Sequence, residues 1–106
     1  MEGRSNTKPV ERRRFPRYPC TGGAEIFQSG RRWGWAAVNE ISCGGCYIET
    51  LHPLPVGAEV PLRLTIADIS LDVCAKVTSA DPMVGTGMIF GTVPPKQWNN
   101  LTQIIE

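Results

Sequence analysis

Four guanidinium groups stand within six residues in Arg12-Arg13-Arg14-Phe15-Pro16-Arg17. A guanidinium is a planar fork of donors. It pairs bidentately with phosphate oxygens, and equally with the O6 and N7 edge of guanine. It also stacks on a purine face. Pro16, with Pro19 behind it, keeps the segment from being an ordinary helix and favours an extended path through Tyr18. An arm of this kind suits a ligand that combines phosphates with guanine bases. The charge pattern agrees. Up to Tyr18, six bases face two acids, giving +4; from Pro19 onward, five bases face eight acids, giving −3, and the formal net charge is +1. A basic arm on a mildly acidic body points to a small anionic ligand or partner met by the arm. A solvated basic tail would have the same composition.

The other reactive residue types do not assemble. His52 is the single histidine and sits in a proline-rich loop, with no carboxylate or nucleophile near it in sequence. No Gly-rich phosphate loop precedes a helix. No catalytic role is filled, so no enzyme is expected. Cys43-Gly44-Gly45-Cys46 has CxxC spacing, which reads as half a zinc site with Cys20 and Cys74, or as a redox pair. Against both, the second pair is scattered, Cys74 is expected to face outward, and a redox CxxC opens a helix rather than lying between strands. Four small hydrophobes fit better, with no metal and no cofactor. Trp33, Trp35 and Tyr47 could serve as stacking platforms for RNA or single-stranded DNA. The acidic body offers no groove to track a backbone, which argues against a nucleic-acid partner.

The chain of 106 residues makes one domain with one modest core. It has no apolar run of membrane-helix length. The start Met1-Glu2-Gly3-Arg4-Ser5 has no apolar stretch behind it, so a cytoplasmic protein without disulfides is the expectation. Residues 1–10 read as a flexible tail and 11–19 as the arginine arm, with a barrel over 20–92 and a helix over 94–105. Strands are expected at Ala24 to Gln28, then, after a Ser29-Gly30 hairpin turn, at Arg31 to Ile41. In this second strand Trp33, Trp35, Ala37, Asn39 and Ile41 share one face, and both faces look partly buried. Gly44-Gly45 permits positive φ and close approach of another group to the backbone. Cys46 to Thr50 is the next strand. Val60, Leu62, Leu64 and Ile66, then Ile69, Leu71, Val73, Ala75 and Val77, alternate toward a core across a short Ala67-Asp68 turn. Pro61 hints at an edge or bulge, and Val84 to Phe90 closes the set. Pro94-Pro95 opens a helix with Trp98, Leu101 and Ile105 inward and Asn99, Asn100 and Gln103 on the wet side. The sum is an all-β fold with one helix: a six-stranded antiparallel β-barrel plus a C-terminal α-helix.

Arg13-x-x-x-Arg17, followed by a strand ending Glu40-x-Ser42-x-x-Gly45, resembles the paired motifs of the PilZ domain family, RxxxR and then [D/N]xSxxG. The stretches Glu11 to Pro19, Ile41 to Thr50 and Gly85 to Phe90 are similar to that family's opening, turn with following strand, and closing strand. The resemblance covers almost the whole chain from Glu11 on. It implies a non-catalytic barrel that binds the bacterial second messenger cyclic di-GMP, with the arginine segment closing over the ligand. Carried over by position, Arg13 and Arg17 would grip guanine and phosphate, Arg12 would add contacts, Ser42 would hydrogen-bond the ligand, and Gly45 would leave room where a Cβ would collide. Arg14 and Asn39 would be accessory. One position departs: Glu40 stands where the family has Asp or Asn, one methylene further out. That departure opens an alternative, a degenerate PilZ domain that binds no nucleotide and acts as a protein-interaction module for a downstream partner.

Overall fold

The strictest alternation in the sequence builds the deepest part of the molecule. Val60, Leu62, Leu64 and Ile66 on one strand and Leu71, Val73, Ala75 and Val77 on the next are all buried, with Pro61, Arg63, Thr65, Asp72, Cys74 and Lys76 exposed between them. The computed structural model describes residues 16–105. The tail 1–10 and the arm residues Arg12, Arg13 and Arg14 lie outside the described residues. The strands are β1 (Tyr18–Gln28), β2 (Arg31–Ile41), β3 (Gly45–Glu49), β4 (Glu59–Ile66), β5 (Ile69–Asp81) and β6 (Gly85–Phe90), followed by one helix, α1 (Pro95–Ile105). They form a closed barrel in the order β1-β2-β3-β6-β5-β4, and every pairing is antiparallel. The expected fold class is the observed one.

Two hairpins set the register. Ser29 and Gly30 have φ of 54° and 78°, the conformation whose twist matches that of the flanking strands. Ala67 and Asp68 adopt the same form, with φ of 52° and 67°, which Asp tolerates and Ala does not favour. The turn is held by the ladder on either side, which begins at Ile66↔Ile69.

Several expectations are corrected. β1 begins at Tyr18 rather than Ala24, because Tyr18 pairs with Ile41 and Pro19 with Glu40 ahead of a register shift before Gly22. β2 is partly buried on both sides only from Ala36 to Ile41; before that, Trp33 and Trp35 are 56% and 59% exposed. Ile41 does not share their face. Val38 pairs with Ile48 and Glu40 with Tyr47, so Asn39 is an extra residue, and the bulge turns Ile41 into the core. Pro61 fits its edge reading, since the β1–β4 ladder ends at Ile26↔Leu62.

The helix closes the one stretch of sheet that β6 leaves open. β6 reaches only Ala75↔Phe90 on β5, with Gly91 adding a bond to the Cys74 carbonyl. Before that point α1 stands in for a strand. The Asp72 N–H donates to Gln97 Oε1 at 2.9 Å, and Asn100 Nδ2 donates to the Ser70 carbonyl at 2.8 Å. Asn100 therefore faces the sheet and not the water, contrary to expectation. Leu101 anchors the helix in the core at 0% exposure, while Trp98 remains 44% exposed. Replacing Leu101 with Ala is expected to cost about 2–5 kcal/mol, read as a lowered urea midpoint, because the cavity opens where the helix meets the barrel. Trp98→Ala should cost less.

Candidate functional site

The turn between β2 and β3 is built by Ser42. Its backbone N–H donates to the Gly45 carbonyl at 2.9 Å. Its Oγ accepts from the N–H groups of both Gly44 and Gly45 at 3.1 Å, and its hydroxyl lies 3.4 Å from the Gly45 oxygen. Ser42 is buried, so these bonds satisfy a side chain that has little access to water. Neither Gly44 nor Gly45 uses positive φ. The close approach that the glycine pair permits is the one realised: a Cβ on Gly45 would run into the Met88 carbonyl oxygen of β6. Its clearance serves the β3–β6 contact before it serves any ligand.

Arg17 meets this turn because β1 starts so early. The Tyr18↔Ile41 and Pro19↔Glu40 pairs deliver the end of the arm to the end of β2. Arg17 Nη1 lies 3.5 Å from Glu40 Oε1, with both side chains close to half exposed. Such a pair is loose and wet, worth at most about 1 kcal/mol. Arg17, Glu40, Ser42 and Gly45 line one cleft of about 490 Å³, together with Tyr47 and Ile89 from the outer faces of β3 and β6. Asn39 is not brought there. The bulge places it on a separate shallow depression with Glu49, Thr50 and Leu51. Arg12, Arg13 and Arg14 lie outside the described residues.

The sequence reading weighed Tyr47 only as a platform for nucleic acid and did not place it in this cleft. Its ring lies across β6, where a Cβ on Gly85 would meet it. Its hydroxyl donates to Asp81 Oδ2 at 2.6 Å. Loss of hydration, that hydrogen bond and the nearby carboxylates of Asp81 and Glu40 push the phenol up to about 12, so it stays a neutral donor. The signal was available in the alternation Gly85-Thr86-Gly87, which leaves the outer face of β6 bare beside an aromatic of β3.

Cys46 sits in the core as a small hydrophobe with Cys20 packed against it, while Cys74 is exposed as expected. Burial, with Cys20 adding, pushes the Cys46 thiol up to about 12, and burial followed by the charge of Glu40 raises Cys20. Both stay protonated. Among the described residues, no three of His, Cys, Asp and Glu gather in a way that could hold a metal. The cleft thus offers a cation, a carboxylate acceptor and an apolar aromatic wall, a set suited to a planar base carrying phosphate.

Ser42→Ala removes the acceptor for two backbone N–H groups in a buried turn. The expected loss is about 1–3 kcal/mol in thermal or urea unfolding. Gly45→Ala should be similarly damaging, because the atom in its way is backbone and cannot swing aside.

A family model described as PilZ domain matches residues 11–106. No curated protein matches the chain. Among solved structures, the Bacillus subtilis inhibitor of motility (MotI/DgrA) superposes with a TM-score of 0.62 at 19% identity, over 89% of this chain and 49% of that one. The chain thus spans about half the length of that protein. The PilZ domain of CeSA from a cellulose-synthesizing bacterium superposes with a TM-score of 0.63 at 16% identity, over 85% of this chain and 94% of that one. At such identities the likeness is one of fold. The family match over nearly the whole sequence carries the assignment: the chain belongs to the PilZ domain family.

Proposed function

We propose that this domain is a non-catalytic sensor of cyclic di-GMP, held between the arginine arm and the cleft beside the Ser42–Gly45 turn. PilZ domains are generally non-catalytic modules that bind this ligand. The observation that carries the reading is convergence. Arg17 lies 23 residues before Glu40, yet it lines a single cleft with the turn residues Glu40, Ser42 and Gly45, large enough for a nucleotide base and its phosphate. Arg13 and Arg17 are assigned the guanine and phosphate contacts, Arg12 and Arg14 supporting charge, and Glu40 the guanine N–H groups.

Glu40 has a second role in this reading. It pairs with Arg17 at 3.5 Å, so a ligand must take the guanidinium from it. The pair is exposed and long, which makes the exchange cheap. Ser42 accepts from the N–H groups of Gly44 and Gly45, while its hydroxyl hydrogen meets only the Gly45 carbonyl at 3.4 Å and is the group it has to donate to the ligand. It also holds the turn that shapes the cleft floor. A protein partner that reads the liganded state is the expected output.

Calorimetric titration with cyclic di-GMP, against GTP as control, tests the proposal. Micromolar or tighter binding specific to the cyclic dinucleotide is expected. No heat at several temperatures and an unchanged melting point would refute it and leave a protein-interaction module. Given binding, Arg17→Ala should weaken it about 5- to 150-fold, the worth of one bidentate guanine contact. Glu40→Asp should tighten it by up to about fivefold, because the shorter carboxylate releases Arg17.

A further inference from the structure

The cleft extends beyond the motif residues onto an outer surface of the barrel that is unusually bare. Pairing across β3 and β6 places Gly45 beside Ile89 and Tyr47 beside Gly87. On this outward face large and small residues alternate in a chequered pattern. Ile89, half exposed, stands next to Gly45. The Tyr47 ring fills the space that a side chain on Gly85 would occupy, since a Cβ there would strike the ring; a Cβ on Gly87 would strike the Ser79 hydroxyl instead and lie in ordinary contact with the ring at 3.5 Å. The ring is held at its far end by the 2.6 Å bond from its hydroxyl to Asp81, on the next strand over. It therefore bridges three strands, supported beneath by glycine backbone and fixed at its tip. A ring so held is a rigid plane, and it lines the same cleft as Arg17. Beside it, Ser79 carries its hydroxyl over Gly87.

We propose that Tyr47 is a stacking platform for a nucleobase of the ligand, with Asp81, Gly85 and Gly87 as the residues that position its ring. The assignment rests on the cyclic di-GMP reading above and adds to it a contact that neither arginine nor turn motif contains. Stacking on an aromatic ring suits any base, since every base has a π-face. Tyr47 thus supplies hold, while the guanidinium groups supply the choice of guanine. Orientation has already been set by the protein, so a base docking on this ring does not have to order a mobile side chain.

The test uses the whole chain and cyclic di-GMP, with two readouts. By calorimetry, Tyr47→Leu, which keeps apolar cover over the glycines but has no π-face, should weaken binding about 5- to 150-fold. Tyr47→Phe keeps the ring, gives up the bond to Asp81 and should lose less. By NMR, a guanine H8 proton of the bound ligand should move upfield through the ring current in wild type and in Tyr47→Phe. That shift should vanish in Tyr47→Leu, which a purely structural role for Tyr47 would not bring about. If wild type binds but shows no upfield H8 shift, or if Tyr47→Leu binds as well as wild type, the platform is wrong and the cleft reading stands. If wild type does not bind cyclic di-GMP, the cleft reading itself fails and takes the platform with it. Should Tyr47→Leu fail to fold, the H8 shift in wild type alone decides.

Discussion

Everything in this molecule depends on the double pairing of β1. One edge bonds to β2 and the other to β4, and that second ladder, from Gly22↔Ile66 to Ile26↔Leu62, turns an open sheet into a barrel. Closure buries the inward residues of all six strands around one axis. It also removes the two free edges that β1 and β4 would present in an open sheet, although β2 from Arg31 to Ala37 is paired on the β1 side alone. The space needed for closure is small. A Cβ on Gly22 would meet Ile66 and the Thr65 carbonyl across the seam. The same strand, continued backward to Tyr18, brings Arg17 to Glu40. The closing contact of the fold and the approach of the arm to its site are thus one piece of chain.

The site follows from that geometry with little added. The Ser42 turn is a self-contained knot of hydrogen bonds that needs no ligand to form. Gly45 lets β3 lie close to β6, and that closeness makes a shallow, firm floor instead of a gap. Onto this floor the protein projects Arg17, loosely paired with Glu40. The contrast bears on the proposed binding. A stiff cradle lowers the entropy lost on binding, and a lightly tethered arginine can leave its carboxylate for a better anion.

Much of this was legible in the sequence where the determinants are local. Val60 to Val77 alternate with period two, and the fold follows the pattern residue by residue. The arginine and serine–glycine spacings are short-range and read directly. What was missed is non-local. Thr21-Gly22-Gly23 has weak strand preference of its own and becomes strand only because β2 and β4 flank it. The bulge at Asn39 leaves no mark in the pattern, yet it moves Asn39 away from the cleft and turns Ile41 inward. Asn100 looked like a surface residue because an amide is polar; a bare strand edge is also polar, and the two met. Tyr47 entered the cleft because of glycines some forty residues away on a neighbouring strand.

The amides of Gln97 and Asn100 have a consequence for how this domain keeps company. They occupy a donor and an acceptor on β5 that would otherwise invite another chain's strand. α1 is therefore a guard as much as a lid, and its grip rests on two polar bonds and the buried Leu101. Brief lifting of the helix would uncover a ready template for intermolecular pairing while the barrel itself stayed intact. Self-association through this edge of β5 would then track the docking of α1 rather than the integrity of the barrel or of the candidate cleft.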